Sequence, residues 1–173
     1  VVKVHVEVAP VNWKMPFSLD LDTKTVSGSG FLLTFGGKVF VVTASHVIDG
    51  AHSVAVQFSN EDARHPCRVV GASPSDDLAV LRLEKTPPNR TKSFVVGASD
   101  LVQKMPQKVY ALGFPMGNEM VTVTAGHVNA YVDGKFQIDV PINAGNSGGP
   151  LVADLGDGEF VCVGVNIETR VGG

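Results

Sequence analysis

Thirty of the 173 residues are valine, and they fall in short runs rather than at helical spacing. A β-branched side chain is stiff about its first torsion and packs well on a pleated surface, so such runs favour strands. The opening stretch, VVKVHVEV, sets Val2, Val4, Val6 and Val8 against Lys3, His5 and Glu7, the period-two pattern of a half-buried strand. Further strand-like runs are GFLLTF (30–35), KVFVVTA (38–44), SVAVQF (53–58), CRVVGA (67–72) and LAVLRL (78–83). The segment EKTPPNRTK interrupts them, because Pro87 and Pro88 cannot donate to a ladder. A second set follows: KVYALG (108–113), MVTVTAG (120–126), HVNAYVD (127–133), KFQIDV (135–140), GPLVAD (149–154) and EFVCVGVN (159–166). FGGK and VDGK read as tight hairpin turns, and ASHVIDG has room for a single helical turn. Short strands with Gly, Asn and Asp turns and no long amphipathic helix give an all-β chain. Each set can lose its exposed edges by closing on itself. The expected architecture is two six-stranded antiparallel β-barrels, residues 1–90 and 91–173, with a cleft between them.

Composition narrows the function classes. A net charge of −3 lacks the basic footprint of a nucleic-acid binder. No apolar run approaches the ~18 residues of a membrane span. The first residue is Val and no signal-peptide pattern precedes the first strand, so a mature form or an excised domain is expected. The two cysteines, Cys67 and Cys162, make no disulfide framework and sit in apolar runs, as buried small hydrophobes do. No Cys/His set has metal-ligand spacing, and no cofactor is expected.

Three polar residues border or interrupt apolar strands: His46 after VFVVTAS, Asp77 before LAVLRL, and Ser147 within PINAGNSGGP. Singly, each has an ordinary explanation as a surface or turn residue. Together they are the parts of one device. A serine hydroxyl is a weak nucleophile until an imidazole takes its proton, and a carboxylate fixes the imidazole tautomer. Backbone amides must then receive the oxyanion. Gly145, Gly148 and Gly149 would let the chain turn tightly enough for the amides of Gly145 and Ser147 to converge. His46 and Asp77 fall in the first strand set and Ser147 in the second, so the device would assemble in the cleft.

The motifs then become specific. VVTASHVI resembles the TA-x-H segment of trypsin-like, two-barrel serine peptidases. DDLAVLRL resembles their D-L/I-A-hydrophobic-L segment, AGNSGGPLV their nucleophile loop, and SGSGF the opening of their first core strand. LGFPMG (112–117), VTVTAGHV (121–128) and QIDVPINAGNSGGPL (137–151) are most similar to the HtrA (Deg) branch, and the resemblance spans about residues 27–168. It implies His46 as general base, Asp77 as orienting acid and Ser147 as nucleophile, with Asp76 a competitor for the acid role. It also implies that Gly145 and Ser147 supply the oxyanion hole. Val47 and Asn146 stand where secreted relatives carry a cysteine and an aspartate. The usual disulfide near the histidine is therefore missing, as is the carboxylate that pairs with a newly cut N-terminus. Regulation by loop ordering rather than propeptide cleavage is the expectation.

The resemblance implies that Pro141 and Ile142 stand at the pocket floor, where an unpaired basic side chain would be costly. Small or medium aliphatic residues are thus expected at the cleavage site. Pro141, Ile142, Asn143, Ala144, Val165, Asn166 and Ile167 are the candidate substrate-binding residues, with Glu168 able to alter preference. Trp13 and Phe17 are candidates for a homotrimer or higher assembly, since HtrA-like enzymes often trimerise through N-terminal aromatics. His127 reads as a strand-surface residue, and NRT (89–91) fits a glycosylation sequon.

The expected function is a serine endopeptidase of HtrA type acting on unfolded or damaged polypeptides in quality control. It would bind no nucleic acid and span no membrane, and a PDZ domain would lie outside this chain. Its compartment would be organellar, periplasmic or another that needs no disulfides. Two alternatives stand beside it: a viral polyprotein-processing protease, which would be cytoplasmic, and a catalytically silent binding module on the same fold.

Overall fold

The computed structural model describes residues 1–8, 24–85, 87, 92–97, 108–115, 118–156 and 158–167. Trp13, Phe17, Glu168 and the NRT sequon lie outside these residues.

The first strand set is a closed barrel. Its strands are β1 (Val2–Val8), β2 (Lys24–Phe35), β3 (Lys38–Thr43), β4 (Ala51–Phe58), β5 (Arg64–Ser73) and β6 (Leu78–Leu83). Their order is β1-β2-β3-β6-β5-β4, and β1 closes the ring by pairing antiparallel with both β2 and β4. The valine alternation of β1 does what its period requires. Val2, Val4 and Val6 are fully buried and meet Val41, Val56 and Leu81 inside the barrel. The FGGK turn joins β2 to β3 with Gly36 and Gly37 both at positive φ, the geometry that matches strand twist in a two-residue hairpin. The helical turn expected near ASHVIDG is a 3-10 turn at Ser45–Val47.

The second set departs from expectation. Among the described residues it has five strands, β7 (Lys108–Gly113), β8 (Thr122–Val132), β9 (Lys135–Ile138), β10 (Pro150–Gly156) and β11 (Glu159–Val165). They form a sheet in the order β11-β10-β7-β8-β9 that does not close among the described residues. The runs 120–126 and 127–133, expected as two strands, are one. Gly126 makes no turn. A side chain there would collide with the Asp139 carboxylate, which accepts the His127 amide at 2.5 Å and lets β8 run straight through. After β9 the chain leaves the sheet for the Ser147 loop, and no sixth strand is found among the described residues. The sheet still curls. Phe136 of β9 lies 3.7 Å from where a Cβ would stand on Gly164 of β11, and a second core of Val109, Ala111, Val128, Val140, Leu151 and Ala153 fills the concavity.

A short segment, 92–97, stitches the two halves. Phe94 donates its amide to Leu32 O and packs edge-on against Phe31 at 5.7 Å. Three residues on, Gly97 N donates to Cys162 O, and Cys162 N donates to Val95 O. Among the described residues no helix is long and apolar enough to cross a membrane.

Candidate active site

His46 and Asp77 meet because β3 and β6 are neighbours. Thr43, the last residue of β3, pairs with Ala79 near the start of β6, so the residues just beyond those ends share one rim of the barrel. Val47 is buried in the barrel core, which anchors the 3-10 turn and leaves His46, one residue earlier, partly exposed. Asp77 sits at φ 54°, a left-handed conformation that a short polar side chain tolerates. Its carboxylate grips the histidine twice. Oδ1 accepts the His46 backbone amide at 2.9 Å, and Oδ2 lies 2.7 Å from the ring Nδ1. A third bond, Ser45 N to Asp77 O at 3.1 Å, joins the two turns. An ionised carboxylate only accepts, so Nδ1 carries the hydrogen and Nε2 is left as the acceptor. Asp76, the competitor, is instead engaged by the Ser73 hydroxyl at 2.6 Å.

Ser147 lies in the loop that leads into β10. The loop's amides separate into two groups. Asn146 N donates to Asn143 O at 3.0 Å, Gly148 N to Asn166 O at 2.7 Å and Gly149 N to Asn146 O at 3.0 Å. The amides of Gly145 and Ser147 donate to no acceptor among the described residues. Gly145 is at φ 99°. Gly148, at φ 85°, could not be anything else, since a Cβ would run into Ser29 O and the Thr43 hydroxyl.

The loop belongs to the second half but lies against the first. Ser29 of β2 donates its amide to Ser147 O at 2.8 Å and its hydroxyl to Gly145 O at 2.5 Å. The Thr43 hydroxyl supports that contact by donating to Ser29 O at 2.7 Å. Thr43 stands three residues before His46, so the loop is carried to the rim that holds His46 and Asp77. No hydrogen bond joins the Ser147 hydroxyl to His46 among the described residues. Neither Ser29 nor Thr43 stands out as a functional residue in the sequence. The available signal was a serine set between two glycines in an apolar strand, SGSGF.

The expected substrate-binding residues flank this loop. Pro141, Asn143 and Ala144 are exposed, and Ile142 packs against the second core. On the other side Asn166 is buried, accepts Gly148 N and donates its own amide to Gly149 O at 2.8 Å. Val165 ends β11 half-buried, and Ile167 crosses to pack on the barrel core. Asn146 is buried, and among the described residues its Oδ1 has no hydrogen-bond partner. The two cysteines are free. Cys67 is half-buried rather than buried, because β5 turns much of its length to solvent, whereas Cys162 is buried. Burial pushes the Cys67 thiol up to about 12 and the Cys162 thiol up to about 11, so both stay protonated at neutral pH and are poor nucleophiles. His127 is on the strand surface, its ring Nδ1 3.7 Å from Asp139 Oδ2.

The chain is similar in sequence and fold to known proteins. The family model of the trypsin-like peptidase domain matches residues 28–165. A probable periplasmic serine endoprotease DegP-like of Marinomonas sp. (strain MWYL1) is 42% identical over 155 residues, covering 84% of this chain and 31% of the relative. Protease Do-like 1, chloroplastic, of Arabidopsis thaliana is 35% identical over 164 residues, covering 87% of this chain and 35% of the relative. The chain thus spans about a third of the length of these curated relatives. The crystal structure of the serine endoprotease from Yersinia pestis superposes with a TM-score of 0.66 at 28% identity, covering 95% of this chain and 52% of that one.

Proposed function

The chain belongs to the trypsin-like peptidase family, in its HtrA (Deg) branch of serine endoproteases, and from that premise we propose that Asp77, His46 and Ser147 are its catalytic triad. The observation that carries the reading is a juxtaposition. A histidine held by a carboxylate at 2.7 Å shares a rim with a serine whose loop leaves two amides, its own and that of Gly145, without acceptors.

In this reading His46 Nε2 takes the proton from Ser147 Oγ as that oxygen attacks the scissile carbonyl carbon. Asp77 holds Nδ1–H and stabilises the imidazolium that forms. The carbonyl oxygen, now negative, accepts from the Gly145 and Ser147 amides, each worth roughly 3–4 kcal/mol in the transition state. His46 then protonates the departing amine. It next activates the water that releases the acyl group and restores Ser147. The serine–histidine hydrogen bond tightens when substrate fills the site, as such bonds do on moving from the free enzyme to the complex.

The substrate is an extended polypeptide, read as an added strand along the cleft. Pro141 and Ile142 offer no carboxylate to a basic side chain, so cleavage follows small or medium aliphatic residues. Unfolded or damaged proteins, which present such segments, are the substrate class, and quality control is the role. Homo-oligomers and an accompanying PDZ domain belong to the same proposal.

A fluorophosphonate probe tests the triad directly. The wild-type chain should label and Ser147→Ala should not. Wild type that fails to label under any condition, activators included, would overturn the assignment. A peptide series with Val, Leu or Arg before the scissile bond tests the pocket, and preference for Arg would refute the aliphatic reading.

A further inference from the structure

Ser29 occupies a position that the proposed mechanism does not use. It is completely buried on β2, a strand of the barrel, yet both its amide and its hydroxyl donate to the Ser147 loop. Its amide donates to Ser147 O at 2.8 Å, and its carbonyl accepts the Thr43 hydroxyl at 2.7 Å. Its hydroxyl lies between two backbone groups, the Phe114 amide at 2.8 Å and the Gly145 carbonyl at 2.5 Å. The chemistry of these neighbours fixes the direction of the hydroxyl. A backbone amide can only donate, so Ser29 Oγ accepts from Phe114 N. A carbonyl can only accept, so the single hydroxyl hydrogen goes to Gly145 O.

The two carbonyls held by Ser29 belong to Gly145 and Ser147, the same residues whose amides are left without acceptors. Gly145 is at φ 99°, and a glycine there has ready access to other backbone conformations. Something must select the one that turns its amide toward the site. The flanking glycines make room for the grip. At Gly28 a Cβ would crowd Val47 Cγ1 at 2.7 Å and Ser147 O at 3.3 Å, and at Gly30 it would press on Val42 O at 2.9 Å.

We propose that Ser29 is a positioning residue for acyl transfer: its hydroxyl, oriented by the Phe114 amide, locks the Gly145 carbonyl and so sets the oxyanion-hole amide of Gly145 from across the interface between barrel and sheet. The proposal rests on the reading of Ser147 and the two amides as the acyl-transfer site. It also makes the barrel a direct determinant of hole geometry, beyond carrying His46 and Asp77.

The test compares wild type, Ser29→Ala, Ser29→Cys and Ser29→Thr, well below the thermal midpoint of each. Two quantities are measured: the rate of fluorophosphonate labelling of Ser147, and the affinity for a peptide aldehyde relative to the same peptide as an unreactive amide. A misplacement on the order of 1 Å can cost ~100-fold, so Ser29→Ala should label at least about 30-fold more slowly. It should lose aldehyde affinity while keeping that for the amide peptide. Ser29→Cys, whose thiol is a weak donor, should fall between alanine and wild type, and Ser29→Thr should recover most of the rate. If Ser29→Ala only lowers the thermal midpoint, with labelling rate and affinity ratio as in wild type, the residue is structural and the proposal is wrong. If Ser29→Ala does not fold, the cysteine and threonine variants decide, and equal labelling by those two refutes it. A wild-type chain that does not label at all removes the serine-peptidase reading itself, and this proposal with it.

Discussion

The barrel and the sheet achieve order in different ways. The barrel closes on itself, with β1 paired on both sides and fourteen buried apolar residues inside, so the His46–Asp77 pair stands on a self-contained frame. The sheet β7–β11 leaves its ends unpaired with each other among the described residues, and six buried residues form its core. Its Ser147 loop is held by its own half, through Asn143, Asn146 and Asn166, and also by docking, through Ser29 and Thr43, onto the barrel. One half of the candidate site therefore rests on its own strands, while the other half leans on its neighbour as well. Damage to the barrel's rim and damage to the docking should then look different.

The largest effect is expected for Asp77→Asn. Asparagine tolerates the left-handed backbone, so the fold should survive. Its amide group would donate to Nδ1, moving the ring hydrogen to Nε2, where the serine proton must go. Turnover should fall by about 10⁴-fold with little change in thermal midpoint. A large loss of stability would show that the rim is less self-contained than its geometry indicates.

Next comes Gly148→Ala, aimed at the docking. An L-residue at φ 85° is strained by roughly 1–2 kcal/mol, and its Cβ would also meet Ser29 O and Thr43. The loop should lift from the barrel, labelling of Ser147 should drop more than about 100-fold, and the thermal midpoint should fall. Retention of the His46–Asp77 hydrogen bond, read from its downfield proton resonance, would sharpen the contrast. Its loss would mean that the two halves of the site are not separable.

The smallest effect concerns barrel closure alone. His5 of β1 is buried, with Nε2 2.7 Å from Gln57 of β4. Burial, the largest influence, holds its pKa below the ordinary 6.5. The Gln57 bond pulls the other way, and Arg64 and Lys3 add to the lowering. The unfolded chain therefore takes up the proton first. The stability gained from a neutral His5 is present above about pH 6.5 and fades as pH falls through that value toward the folded-state pKa. Denaturant midpoints at pH 7.5 and 5.5 should differ less for His5→Leu than for wild type, and an unchanged difference would remove His5 from the account.

Much of this was legible in the sequence, for reasons that differ by residue. The valines of β1 gave their face because a strand's period is two, and FGGK and VDGK gave their turns because positive φ favours Gly and Asp. His46, Asp77 and Ser147 were marked by motif and spacing. The break expected at Gly126 was misread. A glycine can mark a turn or a close approach, and here the approaching group, Asp139, comes from thirteen residues further along the chain.

The sequence by itself determined the strand-rich class, the six runs that become the barrel, and the residue types able to carry acyl transfer, because local periodicity and side-chain chemistry are properties of short stretches. Tertiary structure alone decided that the sheet of the second half does not close among the described residues and that Ser29 holds the loop around Ser147, and it brought Asp77, the acid the resemblance favoured over Asp76, to His46. Each of these depends on which backbone groups meet across distances of thirty to more than a hundred residues, and hydrogen-bond partners at that range are chosen by packing rather than by neighbouring letters.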